Sequence, residues 1–370
     1  MPTGGTLTSA KTTYRPVLLA RQGERLALQD LTEEDHQQFT PIFVVPPIAW
    51  DYENEMPSKT LEQHLDKLPV ELSRARKGYP AFIDLMFLSE ETADVHGQHP
   101  LKWLYAESAK EGLELIPVVA PSSPPLLIAA ARDLASDEQT GVALRLLPAD
   151  WPSVDAKGFQ IFLSDLELSP SEIDLVIDLG PDTSSNLTLR ALIPELQWAH
   201  SNGSWRSLTI AGAGMPKDLP SGRGVHVIER SDWSTFKSAR TSLFEAGESI
   251  TLDYSDYGVA GSDPAVEINP RFLSISASFR YTTDNAWLLA RGELFKANGG
   301  RSVGGAAVAP MLRALTAHAT YNNSNRNAAH DWIDGVIAGS SGGQPTVWRR
   351  WATFHHIKTV LRQLASSSGS

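Results

Sequence analysis

The sequence predicts an α/β fold, a (β/α)8 TIM-like barrel followed by a C-terminal extension of a hairpin and helices. Three observations support this prediction. Eight apolar, β-branched segments recur along residues 14–258, amphipathic segments separate them, and the apolar runs are continuous rather than alternating. Continuous runs are typical of parallel strands that are covered on both faces. An open doubly wound sheet is the alternative for the same pattern.

The strands are predicted from the apolar runs in chain order. They are YRPVLLA (14–20), PIFVVP (41–46), PAFIDLMFL (80–88), LELIPVVA (113–120), GVALRLL (141–147), EIDLVIDLG (172–180), SLTIAGA (207–213) and SITLDYSDYG (249–258). The segment GVHVIER (224–230) is interpreted as a loop that leads into a helix. The residues before it, PKDLPSGRG, are too few and too rich in helix breakers for a crossover helix.

Helical spacing fills the intervals between these strands. Apolar residues recur with helical periodicity in residues 23–35 and 60–77, and the segments 99–112 and 232–247 each end in a glycine suited to a helix C-cap. Beyond the eighth strand, SISASFRYT and AWLLARGEL predict a hairpin, followed by a helix near 306–319 and a final helix, HHIKTVLRQLA.

The chain is predicted to form a single domain. A flexible tail covers residues 1–13, and the TIM-like domain covers 14–365, with its barrel core at 14–260 and the C-terminal elaboration at 261–365. Residues 366–370, SSSGS, are predicted to be a disordered tail.

Composition narrows the classes of function. The chain has 370 residues, a formal net charge of −11 and no cysteine. The lack of cysteine excludes disulfides, thiolate nucleophiles and cysteine-bound metal centres. An acidic chain is not expected to coat nucleic acid. No segment has the apolar core of a signal peptide or the ~18 apolar residues of a membrane helix, so a cytoplasmic protein without membrane contact is expected.

Known cofactor motifs are missing from the sequence. It contains no GxxxxGK[ST], no HExxH and no EF-hand loop. The sequence therefore gives no prediction of a cofactor or a metal ion.

Charged and aromatic residues gather near the carboxyl ends of the predicted strands, where barrels of this type carry their active sites. In chain order they are Arg21, Glu24, Asp51, Asp84, Arg145, Asp178, Asp256 and Tyr257. The predicted hairpin adds Arg280 and Tyr281, and the final helix adds His356. The segment RQGE (21–24) is charged although a plain turn would connect the first strand to the first helix equally well, so its charged residues need an explanation beyond the connection itself.

Two interpretations of these residues remain open. Buried charges persist only when they are paired, so the arginines and aspartates are one candidate for an ion network that plugs the mouth of the barrel. The other interpretation is a pocket in which arginine forks clamp a phosphate or carboxylate. In that pocket Asp84, Asp178 and Asp256 are the candidate catalytic residues, as general bases or metal ligands. The other eight residues are candidates for ligand binding.

The chain resembles the beta protein family of phage and bacterial proteins over nearly all of residues 14–365. The segments that carry the resemblance are YRPVLLARQGERLAL, PIFVVPPIAWD, PAFIDL, GVALRL, DLVIDLG, DYSDYG, FRYT with WLLARG, and WRRWATFHHI. Each is short, but their order and spacing together are specific. The resemblance implies a single-chain architecture in a cytoplasmic setting, and it associates the chain with conflict between phage and host.

The resemblance also implies which residues form the polar motifs of the family. They are Arg21, Gly23, Glu24, Asp51, Asp84, Arg145, Asp178, Asp256, Tyr257, Gly258, Arg280, Tyr281, Thr282, Trp348, His355 and His356. One position departs from the pattern, because Ser255 stands where a glycine is expected before the DYG motif. The tight backbone approach that a glycine would permit there is therefore in question.

The sequence leaves three functions open. The first is a pocket that binds, or as a hydrolase cleaves, an anionic phosphate-bearing small molecule or nucleotide. The second is a non-catalytic interaction protein with a plugged barrel mouth and a protein partner, acting in phage defence or counter-defence. The third is a glycosidase, which requires Asp84 and Asp178 about 5–9.5 Å apart across an open cleft.

Overall fold

The structure is a computed structural model that describes residues 13–88, 94–181, 183, 186–248, 250–262, 274–296 and 303–367. Residues 1–12 of the predicted N-terminal tail lie outside this description. Thr13 is held in place, since its amide donates to Asp253 Oδ1 at 2.7 Å. At the other end, Ser366 and Ser367 of the predicted disordered tail belong to the last helix, and residues 368–370 lie outside the described residues.

The described residues contain strands of two kinds, those of a large parallel sheet and those of small antiparallel sheets. In chain order they are β1 Val17–Leu19, β2 Ile42–Val44, β3 Trp50–Asp51, β4 Met56–Pro57, β5 Ala81–Asp84, β6 Leu115–Val119, β7 Val142–Leu146, β8 Ile173–Asp178, β9 Ser207–Ala211, β10 Gly224–Glu229, β11 Asp253–Tyr254, β12 Ile275–Thr282 and β13 Ala286–Lys296.

Helices fill most of the connections between these strands. They are α1 Gln22–Gln29, α2 Glu33–His36, α3 Leu61–Leu65, α4 Leu68–Arg76, α5 Pro100–Lys110, α6 Pro125–Glu138, α7 Ala156–Leu166, α8 Asn186–Asn202, α9 Ser231–Glu245, α10 Val308–Thr316, α11 Ala328–Ile337 and α12 Pro345–Ser367. Within the described ranges, no helix combines the length and apolar character needed to cross a membrane.

Eight strands form one curled parallel sheet in the order β1-β2-β5-β6-β7-β8-β9-β11. Each of them lies within one of the eight predicted strand segments, and their order in the sheet follows their order in the chain. The prediction of an α/β fold built on a parallel sheet is therefore confirmed.

The first and last strands of this sheet are also joined to each other. Tyr14 and Tyr254 form a parallel bridge, and the amide of Arg15 donates to the Tyr254 carbonyl at 2.8 Å. Ser255, at the position where a glycine was expected, donates its hydroxyl to the Arg15 carbonyl at 2.6 Å. The serine therefore adds a bond between the two strands and does not prevent their close approach.

Both faces of the sheet are buried, which explains the continuous apolar runs. Successive residues of a strand point to opposite faces. One face packs on the surrounding helices through residues such as Leu18, Phe43 and Leu144. The opposite face forms a separate cluster, which contains Val17, Ile42, Val44, Phe82, Val118, Ala143, Val176, Ala211, Ala213 and Tyr257.

A second, antiparallel sheet has the order β10-β13-β12. Its β12–β13 pair confirms the predicted hairpin. The prediction of a loop at 224–230 was wrong, because β10 pairs with β13 from Gly224 opposite Arg291 to Glu229 opposite Ala286. The crossover-helix criterion applied there holds only for a strand of the parallel sheet, whereas β10 joins a strand that lies far along the chain.

The helix boundaries also differ in part from the prediction. The segments 23–35 and 60–77 each form two helices instead of one. Thr32 begins α2 with a capping box, and α4 begins at Leu68 with Pro69 in its first turn. The last helix begins at Pro345, ten residues before the predicted start at His355. This long α12 packs against both α1 and β12, so it connects the antiparallel sheet to the beginning of the parallel one.

An ion network lies at the amino-terminal ends of the parallel strands. Arg15 Nε donates to Asp253 Oδ2 at 3.1 Å, and Arg15 Nη2 lies 3.5 Å from Asp174 Oδ1. Arg206 donates to Asp174 Oδ2 from Nε and from Nη2, at 2.9 and 2.5 Å. This network joins residues in or next to β1, β8, β9 and β11 and so ties these strands together at one end of the sheet.

A buried arginine near the same end is held by uncharged groups. Arg76 donates to the Pro80 carbonyl from Nε and Nη2 and to the Phe39 carbonyl from Nη2. Its Nη1 lies 2.9 Å from His36 Nδ1. Because His36 Nε2 lies 3.1 Å from the Leu28 carbonyl, that nitrogen carries the proton and Nδ1 accepts from Arg76. Burial and the charge of Arg76 lower the pKa of His36 to about 4.

The buried His36 should make stability fall as the pH drops from about 6.5 toward about 4, because its unfolded form takes up a proton that the folded form does not. Its share of the loss between about pH 8 and about pH 5 is about 2 kcal/mol. His36→Gln keeps an acceptor and a donor in place and should remove this share, as measured by urea unfolding at both pH values. The exposed His200 supplies the control, His200→Gln, which should retain the full dependence. An unchanged pH dependence in His36→Gln would contradict the assignment.

Candidate functional site

Arg145 is the centre of a buried ion network at the carboxyl ends of the parallel strands. Its Nη1 donates to Asp84 Oδ2 at 2.6 Å and its Nε donates to Asp178 Oδ2 at 2.8 Å. Its Nη2 donates to the hydroxyl of Tyr257, which itself donates to Asp178 Oδ2 at 2.6 Å. Four residues from β5, β7, β8 and the turn after β11 therefore meet as the sequence predicted.

The network keeps Arg145 charged. Burial alone lowers the pKa of Arg145, but the Tyr257 hydroxyl and the carboxylates of Asp178 and Asp84 outweigh it and raise that pKa above its ordinary value. The second oxygens of the two carboxylates are also occupied, because Asp84 Oδ1 accepts from the Met86 amide and Asp178 Oδ1 from the Gly180 amide. Neither aspartate is left without partners.

A cavity of about 770 Å³ lies over this network and is lined by the loops that follow the strands. Arg145 and Tyr257 line it together with two groups of side chains. The cationic group consists of Arg21, Lys217, Arg280 and Arg349. The apolar group consists of Leu19, Met86, Phe87, Leu147, Met215 and Leu219. Asp218 adds a carboxylate to the lining and Ser262 a hydroxyl. The network therefore does not fill the mouth of the sheet, and a cavity with mainly cationic and apolar walls remains above it.

The RQGE segment positions two of the arginines. Arg21 is exposed and lines the cavity. Gly23 leaves room for Arg349 of α12, since a Cβ at position 23 would lie only 2.7 Å from Arg349 Cγ. Glu24 is buried with its Oε1 at 3.7 Å from Arg349 Nε. Burial raises the pKa of Glu24, although the charge of Arg349 opposes this shift. The segment is thus the docking site of α12 and its arginine.

Arg280 reaches the same cavity from β12. Its Nε is buried and has no hydrogen-bond partner among the described residues. Burial, reinforced by the charges of Arg349 and Arg291, lowers the pKa of Arg280 to about 9. A guanidinium held among other cations is a group whose charge an anion would stabilise.

Asp256 and His356 meet in a second buried cluster. His356 Nε2 donates to Asp256 Oδ2 at 2.8 Å. The hydroxyl of Tyr14 and the amide of Gly258 both donate to Asp256 Oδ1, at 2.7 and 2.9 Å. Although burial opposes it, the charge of His356 lowers the pKa of Asp256. Asp256 is thus an anchor of the DYG turn that carries Tyr257, and it does not line the cavity.

Two further candidates lie elsewhere. Asp51 caps the turn between β3 and β4, where its Oδ1 accepts from the amides of Glu53 and Asn54. Tyr281 is on the other face of β12 from Arg280, where its ring stacks on His355 at 4.2 Å between centroids. Of the eleven candidates, only Arg21, Glu24, Asp84, Arg145, Asp178, Tyr257 and Arg280 belong to the network, the cavity lining or the support of Arg349.

Arg349 and Lys217 line the cavity but are not among the candidates predicted from the sequence. Arg349 sits in the WRRW segment, where helical spacing gives no sign of which arginine faces the parallel sheet. Lys217 follows β9 in a segment rich in breakers. In the described part of the chain, no three histidine, aspartate or glutamate side chains are grouped so as to hold a metal ion.

Replacing Arg145 should destabilise the fold. Arg145→Met leaves Asp84 and Asp178 buried without their cation, which costs about 3–5 kcal/mol in the free energy of unfolding. The triple variant Arg145→Met, Asp84→Asn, Asp178→Asn removes the stranded charges and should recover a large part of that loss. Urea unfolding of the three proteins measures both effects. Equal stability of the single variant and the wild type would contradict a paired network.

Replacing Gly23 should disturb the docking of α12. In Gly23→Ala the new methyl group meets Arg349 Cβ and Cγ at 2.8 and 2.7 Å, close to the helix backbone. Overpacking of this kind costs about 1–3 kcal/mol. Gly335→Ala is the control, because that helical glycine has ordinary space beside it and alanine favours helices. Thermal unfolding should show destabilisation for the first variant only, and equal midpoints would refute the contact.

Comparison with known proteins identifies the family to which the sequence belongs. No curated protein matches the sequence. A mutant tryptophan synthase alpha-subunit from Pyrococcus furiosus is 12% identical, with coverage of 67% of this chain and 88% of that chain at a TM-score of 0.39. A triazine hydrolase variant is 12% identical, with coverage of 67% and 51% at a TM-score of 0.34. Residues 14–362 match the family model described as Beta protein. The match spans nearly the whole chain, and the chain therefore belongs to the Beta protein family.

Proposed function

We propose that the parallel sheet closes into a TIM-like barrel and that the cavity at its carboxyl end binds an anionic, phosphate-bearing small molecule or nucleotide. The bonds between the first and last strands support the closure. So does the cluster on one face of the sheet, which joins Val17 of β1, Ala143 of β7 and Tyr257 after β11. Tyr257 also bonds to Arg145 of β7, although β8 and β9 lie between β7 and β11 in the sheet, and contacts across the sheet of this kind favour closure.

The observation that carries the ligand class is the convergence of arginines on one cavity. Arg21, Arg280 and Arg349 come from three separate parts of the chain, and the buried Nε of Arg280 has no partner among the described residues. Guanidinium groups bind phosphate through paired, charge-assisted hydrogen bonds. An anion beside these guanidinium groups would reduce the repulsion between the cations.

Binding is better supported than hydrolysis. A general base needs an available lone pair near its operating pH. Asp84 and Asp178 each share an oxygen with the Arg145 guanidinium, and their second oxygens accept backbone amides. The same occupation disfavours the glycosidase alternative, which requires one of the two carboxyls to act as an acid.

A non-catalytic interaction protein is the second candidate. The observation in its favour is the Arg145 network itself, which is the ion cluster that this alternative expects at the mouth of the barrel. The cavity above the network favours a small ligand instead. A role in phage defence or counter-defence is a proposal that rests on the family resemblance alone, and a cytoplasmic location is a proposal that rests on that resemblance and on the expectation from the sequence.

Arg280→Met should weaken the binding of pyrophosphate. The loss of one charge-assisted contact reduces affinity by roughly 10–100-fold, as measured by titration calorimetry at low salt. Arg223→Met is the control, because Arg223 pairs with Glu293 on the surface and its side chain is 69% exposed. The absence of pyrophosphate binding by the wild type, or equal affinity in Arg280→Met, would overturn the proposal.

A further inference from the structure

The cavity is larger than an inorganic anion requires. Ligand pockets of about 300–1,000 Å³ enclose most of a small organic molecule, and this cavity has about 770 Å³. The cationic group accounts for only part of its lining. An inorganic anion at the arginines would leave most of this volume unfilled, and the remaining lining indicates what organic body would fit beside it.

The remaining lining is apolar and contains an aromatic ring. Met86 and Phe87 follow β5, and Met215 and Leu219 follow β9. Met86 is 42% exposed, although it lies beside a buried network and its sulfur is 3.3 Å from Arg145 Nη1. Phe87 is half-buried against the cluster on the inner face of the sheet. An exposed thioether beside a phenyl ring in a cavity lining favours a flat, polarizable partner.

Polar groups also reach this part of the cavity. Asp218, Gly261 and Ser262 line it, and they carry a carboxylate, a hydroxyl and backbone amides and carbonyls. A planar body with hydrogen-bonding edges matches such a lining better than an alkyl chain does, because an alkyl chain would leave these groups without partners.

We infer that the ligand is a nucleoside phosphate, with its phosphate at the arginines and its base on the Met86–Phe87 wall. This inference rests on the proposed anion site and adds the identity of the organic body. Stacking of a base on an aromatic side chain is worth about 1–3 kcal/mol, which corresponds to roughly 5–150-fold in affinity.

Calorimetric titration with a graded set of probes tests the inference. The probes are pyrophosphate, ribose 5-phosphate, decyl phosphate and the four common nucleoside monophosphates. At least one nucleotide should bind at least about tenfold more tightly than ribose 5-phosphate, because only the nucleotide can stack its base. In Phe87→Leu, which retains apolar packing but removes the ring, this advantage should fall to less than about threefold, while the affinity for ribose 5-phosphate stays unchanged.

Phe244→Leu is the matched control. Phe244 belongs to α9, is 82% exposed and does not line the cavity, so this variant should keep the nucleotide preference. Equal binding of ribose 5-phosphate and all four nucleotides, or tightest binding of decyl phosphate, would overturn the nucleotide assignment and leave the anion site intact. A wild-type protein that binds none of the probes, pyrophosphate included, would overturn the anion site as well.

Discussion

The pairing of one buried guanidinium with two carboxylates and a phenol is the constraint on which the candidate site depends. Arg145, Asp84, Asp178 and Tyr257 come from separate strand units, and each of them would be costly to bury alone. Their mutual satisfaction fixes the relative positions of the strand ends. One guanidinium against two carboxylates leaves the network with a net charge of −1, and because its polar groups are paired it forms a rigid floor rather than a reactive centre.

The specific character of the site comes from the C-terminal layer above that floor. Arg280 on β12 and Arg349 on α12 lie far along the chain from the first strand, yet they line a cavity with Arg21. The docking of α12 against α1 makes this possible, and it depends on the absence of a side chain at Gly23 and on the buried carboxylate of Glu24. The short segment after β1 is therefore the connection between the two layers of the protein.

The parallel sheet was predictable because each strand carries a local signal, a continuous apolar run, and parallel order follows from the helices between them. The network was predictable as well, since a charged residue near the end of a buried strand needs a partner and strand ends lie together. The antiparallel layer was harder to predict from the sequence. Strand β10 pairs with β13, whose partner residues lie 57 to 67 positions further along the chain, and no local pattern encodes that pairing. Arg349 was not predicted for a similar reason, because tertiary packing determines which side of α12 faces the cavity.

The DYG turn (residues 256–258) takes part in two buried clusters, one with α12 and one with the parallel sheet, and it therefore connects the C-terminal layer to that sheet. Asp256 is bound to His356 of α12, whereas the next residue, Tyr257, is bound to Arg145 and Asp178 of the parallel sheet. Gly258 adopts φ of +60°, a conformation that favours glycine, and its amide donates back to Asp256. A shift of α12 would therefore act on Tyr257 through Asp256 and on the cavity through Arg349. These contacts couple the position of α12 to the Arg145 network below the cavity and to the arginines in its wall. A ligand bound by Arg349 would therefore also stabilise the packing of α12 and the position of Tyr257.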